Sequence, residues 1–135
     1  MQEAEVFIGT KGLRTAYEKM YKGLSNDEEI VFLYVSEKEY DEQANLFYNS
    51  VMDITKNIKN RGVGTMEYKK SWFLKKAKYL KMRFVDMPLP GNIDISEEYV
   101  FIVSWQPSIV GILIHSKTIA RTMKDYFEQV WKVAH

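Results

Sequence analysis

The chain has 135 residues, of which 46% are hydrophobic, so it can fold as one domain around a single core. Its net charge of +1 excludes a global basic field that would attract nucleic acid. Its lack of cysteine excludes disulfides, thiolate nucleophiles and thiolate metal sites. The sequence shows no secretory signal and no apolar run long enough for a bilayer, and we expect one cytoplasmic domain over residues 1–135 without membrane contact.

The first half of the chain predicts alternating strands and helices. Short apolar runs indicate strands over 6–8, 30–35 and 63–68. Apolar residues at helical spacing predict a helix after the first strand, with Thr10 as its cap, and a second helix over 42–61. Gly62 would end that second helix in the left-handed conformation. The alternating order predicts right-handed crossovers and a mainly parallel sheet.

The middle of the chain has a different composition. The basic and aromatic segment 68–81 predicts a short helix, and a fourth strand is expected over 81–87. A turn-rich Pro-Leu-Pro-Gly-Asn loop follows at 88–92. A short strand is then expected over 93–95.

The C-terminal third contains the strongest structural signals. Two almost wholly apolar strands are predicted over 99–105 and 109–114, and Ser116 is placed to cap a long helix. The apolar stripe of this helix consists of Ile119, Ala120, Met123, Phe127, Val130, Trp131 and Ala134. We therefore predict an α/β fold with a mixed, mainly parallel sheet flanked by helices and ending in a long amphipathic helix.

The same third resembles the end of the effector-sensing domain of archaeal TrmB-like transcription regulators. The resemblance rests on FIVSW at 101–105, VGILI at 110–114 and YFExxWK at 126–132, and a glycine pair at Gly9 and Gly12 fits it as well. It implies a phospholipase D-like fold, effector sensing and homodimerisation, with DNA bound only through a separate winged-helix domain. The chain itself could be complete or could be the sensor domain of a longer regulator.

Phospholipase D-like enzymes use a His-x-Lys pair four residues before an aspartate, in which histidine attacks phosphorus and lysine neutralises the phosphoryl oxygens. By position this motif should fall near the strand before Tyr99, but segment 92–99 contains neither residue type. His115 and Lys117 have the right spacing at the start of the last helix, with no aspartate at the right distance. We therefore expect no catalytic residues and no cofactor. Two separated histidines and the lack of an Asp-x-Asp cluster also argue against a metal site.

A pocket is expected at the carboxyl ends of the parallel strands, where open α/β sheets bind ligands. The side chains predicted to line it are Thr10, Lys11, Ser36 and Lys69, with Asp94 and Trp105 as additional candidates. The Gly9–Gly12 turn suits an anion at a helix N-terminus, but ordinary turn geometry explains its glycines equally well. Trp105 fits a core position as well as a pocket.

Three functions are compatible with the sequence. The first is a non-catalytic regulatory domain that is homodimeric and binds a small-molecule effector. The second is a diverged phosphodiesterase or nuclease, against which the missing His-Lys pair argues. The third is a nucleic-acid-binding module that uses the basic segment 69–83, where aromatic side chains could stack on bases. Helical spacing within that segment favours a solvated helix face instead.

Overall fold

The protein's structure, a computed structural model, describes residues 2–135 and contains one seven-stranded sheet. The strands are β1 (Glu3–Ile8), β2 (Glu29–Tyr34), β3 (Lys59–Thr65), β4 (Leu80–Val85), β5 (Asn92–Ile95), β6 (Tyr99–Ser104) and β7 (Val110–His115). The helices are α1 (Gly9–Tyr21), α2 (Asp41–Ser50), α3 (Met52–Thr55), α4 (Trp72–Lys76) and α5 (Lys117–Val133), with a 3₁₀ helix at Met66–Lys70. Over residues 2–135, none of the helices combines the length and apolarity that a bilayer crossing requires.

The strand order is β1-β7-β6-β5-β2-β3-β4. This confirms a mixed sheet flanked by helices but corrects the prediction that it is mainly parallel. Only β2 with β3 and β3 with β4 pair in parallel, whereas the other four pairings are antiparallel. The reason is that β5, β6 and β7 form a meander between β1 and β2. Those two strands run in the same direction but never become neighbours.

Helices cover both faces of the sheet, and residues alternate between the faces along each strand. Helices α1 to α4 cover what we call the α1 face, which includes Ile30 and Tyr34 of β2. Helix α5 covers the α5 face, which includes Val31 and Leu33 of the same strand. The two buried clusters explain why β2 is a continuous apolar run in the sequence.

The predicted helix over 42–61 is two short helices, and this prediction needs correction. Helix α2 ends at Ser50, whose hydroxyl donates to the carbonyl of Phe47 at 2.6 Å, and α3 ends at Thr55. The amide of Asn60 then donates to the carbonyls of Thr55 and Ile58, at 3.2 and 2.9 Å, which satisfies the helix end and lets β3 begin. Gly62 is therefore a strand residue of β3 and does not terminate a helix.

The two predicted helix caps have different outcomes. Helix α1 starts directly after β1, with Ile8 at the cap position and no side-chain cap, so Thr10 does not have the predicted role. Gly9 supplies the left-handed turn there, with a φ of 72°. The cap at Ser116 is confirmed, because its hydroxyl accepts from the backbone N–H of Ile119 at 3.1 Å.

A cluster of charged and aromatic side chains attaches α5 to the sheet. Arg61 of β3 donates to Glu29 and Glu128 at 2.7 Å each, and the two carboxylates raise its pKa further. Its guanidinium lies 5.0 Å from the ring centre of Trp131, and that of Arg83 lies 4.1 Å from the same ring. These contacts fix the position of α5 by charge pairing and cation–π attraction.

Candidate functional site

A cavity of about 40 Å³ that is partly open to solvent lies beneath α1, against the α1 face of the sheet. Elements from most of the chain contribute to its wall, including α1, α2, α3, β2, β3 and β5. Its lining is unusually rich in one residue type, with tyrosines at positions 17, 21, 34, 48, 68 and 79. The polar, non-tyrosine side chains of the wall are Thr55, Asn60 and Asp94.

Asp94 is the acidic side chain of this cavity. It lies on β5, with Phe32 of β2 and Phe101 of β6 as its strand partners. Its Oδ2 accepts from the hydroxyl of Tyr17 at 2.8 Å, and its Oδ1 has no hydrogen-bond partner among residues 2–135. Asp94 is partly buried, and its side chain forms part of the cavity wall.

The burial of Asp94 changes its acidity. Desolvation raises the pKa of Asp94 to about 7, although the hydrogen bond from Tyr17 opposes the rise. Within residues 2–135, no lysine, arginine or histidine lines the cavity. The wall therefore offers no cation that could offset the charge of the carboxylate. Burial likewise raises the pKa of Tyr17, Tyr21 and Tyr48, so these hydroxyls stay protonated.

Part of the cavity wall depends on a glycine. A Cβ at Gly62 would lie 2.2 Å from the Cζ of Phe32, so the ring of Phe32 occupies the space directly above the β3 backbone. The two residues are register partners in the parallel ladder. Glycine at position 62 therefore leaves the space that the far end of the Phe32 ring fills in the cavity wall.

Tyr79, in the turn before β4, is a half-buried tyrosine of the cavity wall. The hydroxyls of Tyr79 and Thr55 lie 2.7 Å apart and form a hydrogen bond. This bond joins the end of α3 to the turn before β4.

The carboxyl-end edge of the sheet, where the pocket was predicted, is occupied by a hydrogen-bond network. Ser36 donates its hydroxyl to Asp41, and its backbone N–H donates to the hydroxyl of Thr65 at 2.8 Å. The side chain of Asn92 accepts from the backbone N–H of Val35 at 2.7 Å. Ser36 therefore lies at the predicted edge, but its polar groups are engaged in contacts that hold β2, β3 and β5 together.

The other predicted residues of that edge are dispersed. Thr10 and Lys11 are exposed at the end of β1, four strands away from β2, which corresponds to about 19 Å. Lys69 is exposed on the 3₁₀ helix, with its ammonium 5.9 Å from the ring centre of Phe84. The structure does not bring these three side chains next to Ser36 or Asp94.

Trp105 lies in the core on the α1 face and is 2% exposed. Its ring packs edge-on against Phe47 at 5.9 Å between ring centres and against Tyr48 at 6.1 Å. Its indole N–H is buried without a hydrogen-bond partner among the described residues. Trp105 therefore supports the position of Tyr48 in the cavity wall and does not line the cavity itself.

Neither β5 nor the His115 region assembles the catalytic pair of the phospholipase D-like pattern. The β5 side chains on the α1 face are Asn92 and Asp94, and both are held by neighbouring groups. His115 stacks on Tyr99 with ring centres 4.5 Å apart, and its Nε2 lies 3.2 Å from Glu98. Residues 2–135 also contain no group of three or more His, Cys, Asp or Glu side chains placed to hold a metal ion.

The basic segment 69–83 is two short helices followed by the start of β4, not one helix. Ser71 ends the 3₁₀ helix and caps α4 by accepting from the N–H of Phe73 at 3.1 Å. Lysines 69, 70, 75, 76, 78 and 81 are exposed and have no acidic partner within salt-bridge distance among residues 2–135. Trp72 is 39% exposed and donates to Glu42 at 2.9 Å.

Sequence reasoning identified Asp94 but missed the tyrosines around it. Tyr17 and Tyr21 lie at helical spacing among the apolar residues of α1, and Tyr34 lies within a continuous apolar strand, so neither pattern marks these tyrosines as site residues. A usable signal was present, because the chain contains nine tyrosines and one of them is placed one helical turn from another on α1. Buried tyrosine hydroxyls need polar partners, so several of them on inward-facing positions indicate a polar interior.

Comparisons with known proteins agree on the fold. No family model matches the sequence, and no curated protein matches it. Among solved structures, Nuc of Salmonella typhimurium, a phospholipase D family member, is 11% identical with a TM-score of 0.66, covering 100% of this chain and 97% of that one. NucT of Helicobacter pylori is 15% identical with a TM-score of 0.64, covering 99% and 98%.

A third solved structure connects the fold to the family resemblance. TrmBL2, described as an archaeal chromatin protein with a novel mode of DNA binding, is 18% identical with a TM-score of 0.60. The match covers 98% of this chain and 53% of TrmBL2, so the chain spans about half the length of that protein. From these three likenesses and the mixed sheet with its long final helix, we conclude that the chain has a phospholipase D-like fold.

Proposed function

We propose that this chain is a non-catalytic regulatory domain that senses a small molecule in the cavity beside Asp94. The observation that carries the proposal is a cavity on the α1 face whose wall holds a carboxylate with one oxygen that receives no hydrogen bond from residues 2–135. Packed interiors rarely keep such a combination, because both empty space and an unpaired polar group cost stability. A ligand that fills the space and pairs with the oxygen removes both costs, as binding pockets with few placed polar groups do.

Helix α1 is the element that would move when a ligand binds in the cavity, because its side chains contact both the cavity and distant parts of the fold. Tyr17 on α1 holds Asp94, and Arg14 on the same helix donates to Asp53 at 2.7 Å and to the carbonyl of Ser50 at 3.0 Å. Lys19 of α1 pairs with Glu5 on the edge strand β1. A shift of Tyr17 on ligand binding would therefore be transmitted both to the α2–α3 junction and to the sheet edge.

We further propose that the domain is homodimeric and cytoplasmic, with DNA contacted through a separate winged-helix domain. Support for self-association comes from an uncovered apolar row across three strands of the α5 face. Val6, Ile112 and Ile102 are register partners and are 62%, 39% and 37% exposed. Adjacent apolar side chains of this kind are typical of interaction surfaces. Val6→Lys should convert a dimer to a monomer in light scattering, and an unchanged mass would contradict this part of the proposal.

A thermal-shift screen with metabolite classes tests the sensing function. One class should stabilise the wild-type chain at sub-millimolar concentration, and hydrogen exchange should then show added protection in α1 and β5. Val51→Leu adds one methylene to the cavity wall and should weaken the response. Val133→Leu changes an exposed residue in the same way and should not. A flat response to a broad panel, or equal responses in the two variants, would contradict the proposal.

Nucleic-acid binding by the basic segment 69–83 is the second candidate function. It is favoured by the six exposed lysines without acidic partners and by the exposed ring of Trp72 in the same segment. TrmBL2, whose structure is similar to this chain, is described as binding DNA. Binding through the basic segment should weaken steeply with salt and should fall when Lys75 and Lys76 are changed to glutamine. Salt-independent binding, or none, would eliminate this function.

A diverged phosphodiesterase is the third candidate. Its support is the likeness to Nuc and NucT, which extends over nearly the full length of both chains. His115 is the histidine that such a reaction would use, and its ring is already engaged with Tyr99 and Glu98. Hydrolysis of a generic phosphodiester that disappears in His115→Ala would favour this hypothesis over the sensor. Equal background rates in both proteins would exclude it.

A further inference from the structure

We infer that the ligand of the cavity is a small organic ammonium ion, held by the free Oδ1 of Asp94 and by the surrounding tyrosines. This inference rests on the proposed function, because it names the chemical class that the same cavity would take. It follows from three properties of the wall, which are its charge, its aromatic character and its volume.

The charge of the wall selects a cation. Asp94 is the acidic residue that lines the cavity, and it receives one hydrogen bond, from Tyr17. The titratable groups that face it from the packed elements are tyrosines of α1, α2, β2, the 3₁₀ helix and the turn before β4, and all of these are neutral when protonated. An ionised carboxylate in such surroundings lacks a counter-charge, and a bound cation supplies it. An anionic ligand would add repulsion, and a neutral one would leave the charge unpaired.

The aromatic character of the wall favours an ammonium ion over a metal ion. Six tyrosine rings and those of Phe32 and Phe73 line the cavity, and aromatic rings attract organic cations through their quadrupoles. Calcium requires six to eight oxygen ligands, and magnesium requires a nearly octahedral set of oxygens. Asp94 is the single carboxylate of this wall, and residues 2–135 provide no acidic cluster for either metal. An ammonium N–H donor can instead use Oδ1 together with the tyrosine hydroxyl oxygens.

The volume of the cavity limits the group that can lie beside Asp94 to a few heavy atoms. The space of about 40 Å³ corresponds to roughly three water molecules. Methylammonium fits this space, whereas tetramethylammonium is too bulky and has no N–H to donate. The matched neutral probe is methanol, which has almost the same size and shape as methylammonium but carries no charge. Potassium chloride at the same ionic strength serves as the inorganic comparison.

The experiment measures the melting midpoint and ligand-observed NMR at pH 8, where Asp94 is ionised. Wild-type protein is titrated with methylammonium chloride, methanol, tetramethylammonium chloride and potassium chloride at constant ionic strength. Methylammonium at ten times its dissociation constant should raise the midpoint by about 5 °C, and the other three probes should leave it unchanged. Asp94→Asn should abolish the effect. Asp86→Asn, which removes the same charge from an exposed turn, should retain it.

Tyr17→Phe provides a second variant that keeps the carboxylate and removes its hydrogen-bond donor. Methylammonium should still bind Tyr17→Phe, because the cation interacts with the carboxylate and does not depend on the Tyr17 hydroxyl. Equal responses to methylammonium and potassium, or a response that survives in Asp94→Asn, would overturn the ammonium inference.

The two levels of the proposal fail in different ways. If methylammonium has no effect but a neutral or anionic metabolite stabilises the protein and is sensitive to Val51→Leu, sensing stands and the ammonium class is wrong. If no compound is sensitive to either Val51→Leu or Asp94→Asn, both the ammonium inference and the sensing function are wrong.

Discussion

The two faces of the sheet bury different types of side chain. The α5 face is mainly aliphatic, and one long helix covers its central strands β2, β5 and β6 through Ala120, Phe127 and Val130. The α1 face contains most of the buried tyrosines together with Asn60, Asn92 and Asp94, and several short helices cover it. One chain thus supplies a mainly aliphatic core on one side, and on the other a larger, aromatic-rich core that also contains polar groups and a cavity.

This difference indicates a division of roles between the faces. A close-packed aliphatic layer gives stability for every apolar group that it buries. A layer with a buried carboxylate and empty space gives up part of that stability. Stability should therefore come from the apolar groups that both faces bury, and the polar groups and the cavity of the α1 face should add its sensitivity to ligand and to pH.

The largest effect is expected from Phe127→Ala on the α5 face. Phe127 is 0% exposed, so its removal leaves a cavity and lowers the free energy of unfolding by about 3–5 kcal/mol. Chemical denaturation measures this change. The neighbouring Tyr126 is 41% exposed, and Tyr126→Ala should change stability by less than about 0.5 kcal/mol. Similar losses in both variants would contradict the assignment of stability to the inward side of α5.

The next largest effect is expected from Asp94→Asn, which should raise the free energy of unfolding, whereas Phe127→Ala lowers it. The size of this increase should depend on pH. Because the pKa of Asp94 is about 7 in the folded state and ordinary in the unfolded state, the folded protein binds the proton more tightly. Asp94 therefore causes no stability loss below about pH 4, and the loss grows as the pH rises from 4 to 7. At pH 8 in the absence of ligand, Asp94→Asn should be more stable than wild type by on the order of 3–4 kcal/mol.

Denaturation curves between pH 4 and pH 8 for wild type, Asp94→Asn and Asp86→Asn measure this effect. The difference between wild type and Asp94→Asn should change with pH, whereas Asp86→Asn should follow wild type, since Asp86 is exposed. A constant difference across the range would show that Asp94 has the same pKa in both states. Ionisation of Asp94 would then not lower the free energy of unfolding.

An intermediate effect is expected from Gly62→Ala, which changes the wall between the β3 backbone and Phe32. The new Cβ would overlap the Phe32 ring, so the ring must move, at a cost of about 1–3 kcal/mol. Phe32→Leu should recover much of this loss, and a double-mutant cycle by denaturation gives the coupling energy. Additive effects of the two changes would mean that the ring does not depend on the glycine.

Gly62 also shows where sequence reasoning reached its limit. The sequence predicted a long helix ending at Gly62, because glycine commonly ends helices and the apolar residues before it have helical spacing. The actual helix end depends on the side chain of Asn60, which bonds to two carbonyls of the preceding segment. The requirement for glycine comes from a ring on another strand, and a single sequence does not reveal which strand that is.

The C-terminal third was predicted well because its signals are local. Two apolar runs, a turn and a capped amphipathic stripe lie within 37 consecutive residues, and each is confirmed at nearly the expected bounds. One member of the predicted stripe is wrong, because Ile119 is 39% exposed. The sheet order depended on long-range pairings, and the meander between β1 and β2 left no local trace. For the site, Asp94 was identified from its residue type, whereas the cavity around it required the positions of six tyrosines from different elements.

The smallest effect is expected from Ser116→Ala at the start of α5. The hydroxyl of Ser116 accepts from the N–H of Ile119 and donates to the side chain of Gln2, and the residue is 0% exposed. Loss of the cap should lower the free energy of unfolding by about 1 kcal/mol in chemical denaturation. Ser116→Gly should lower the free energy of unfolding by only about a few tenths of a kcal/mol, because glycine is also a favourable residue at the N-cap position of a helix. If glycine were as costly as alanine, the residue would contribute through its buried contact with Gln2 more than through capping. The start of α5 would then be stabilised by the hydrogen bond from Ser116 to Gln2 more than by the bond that Ser116 accepts from the N–H of Ile119.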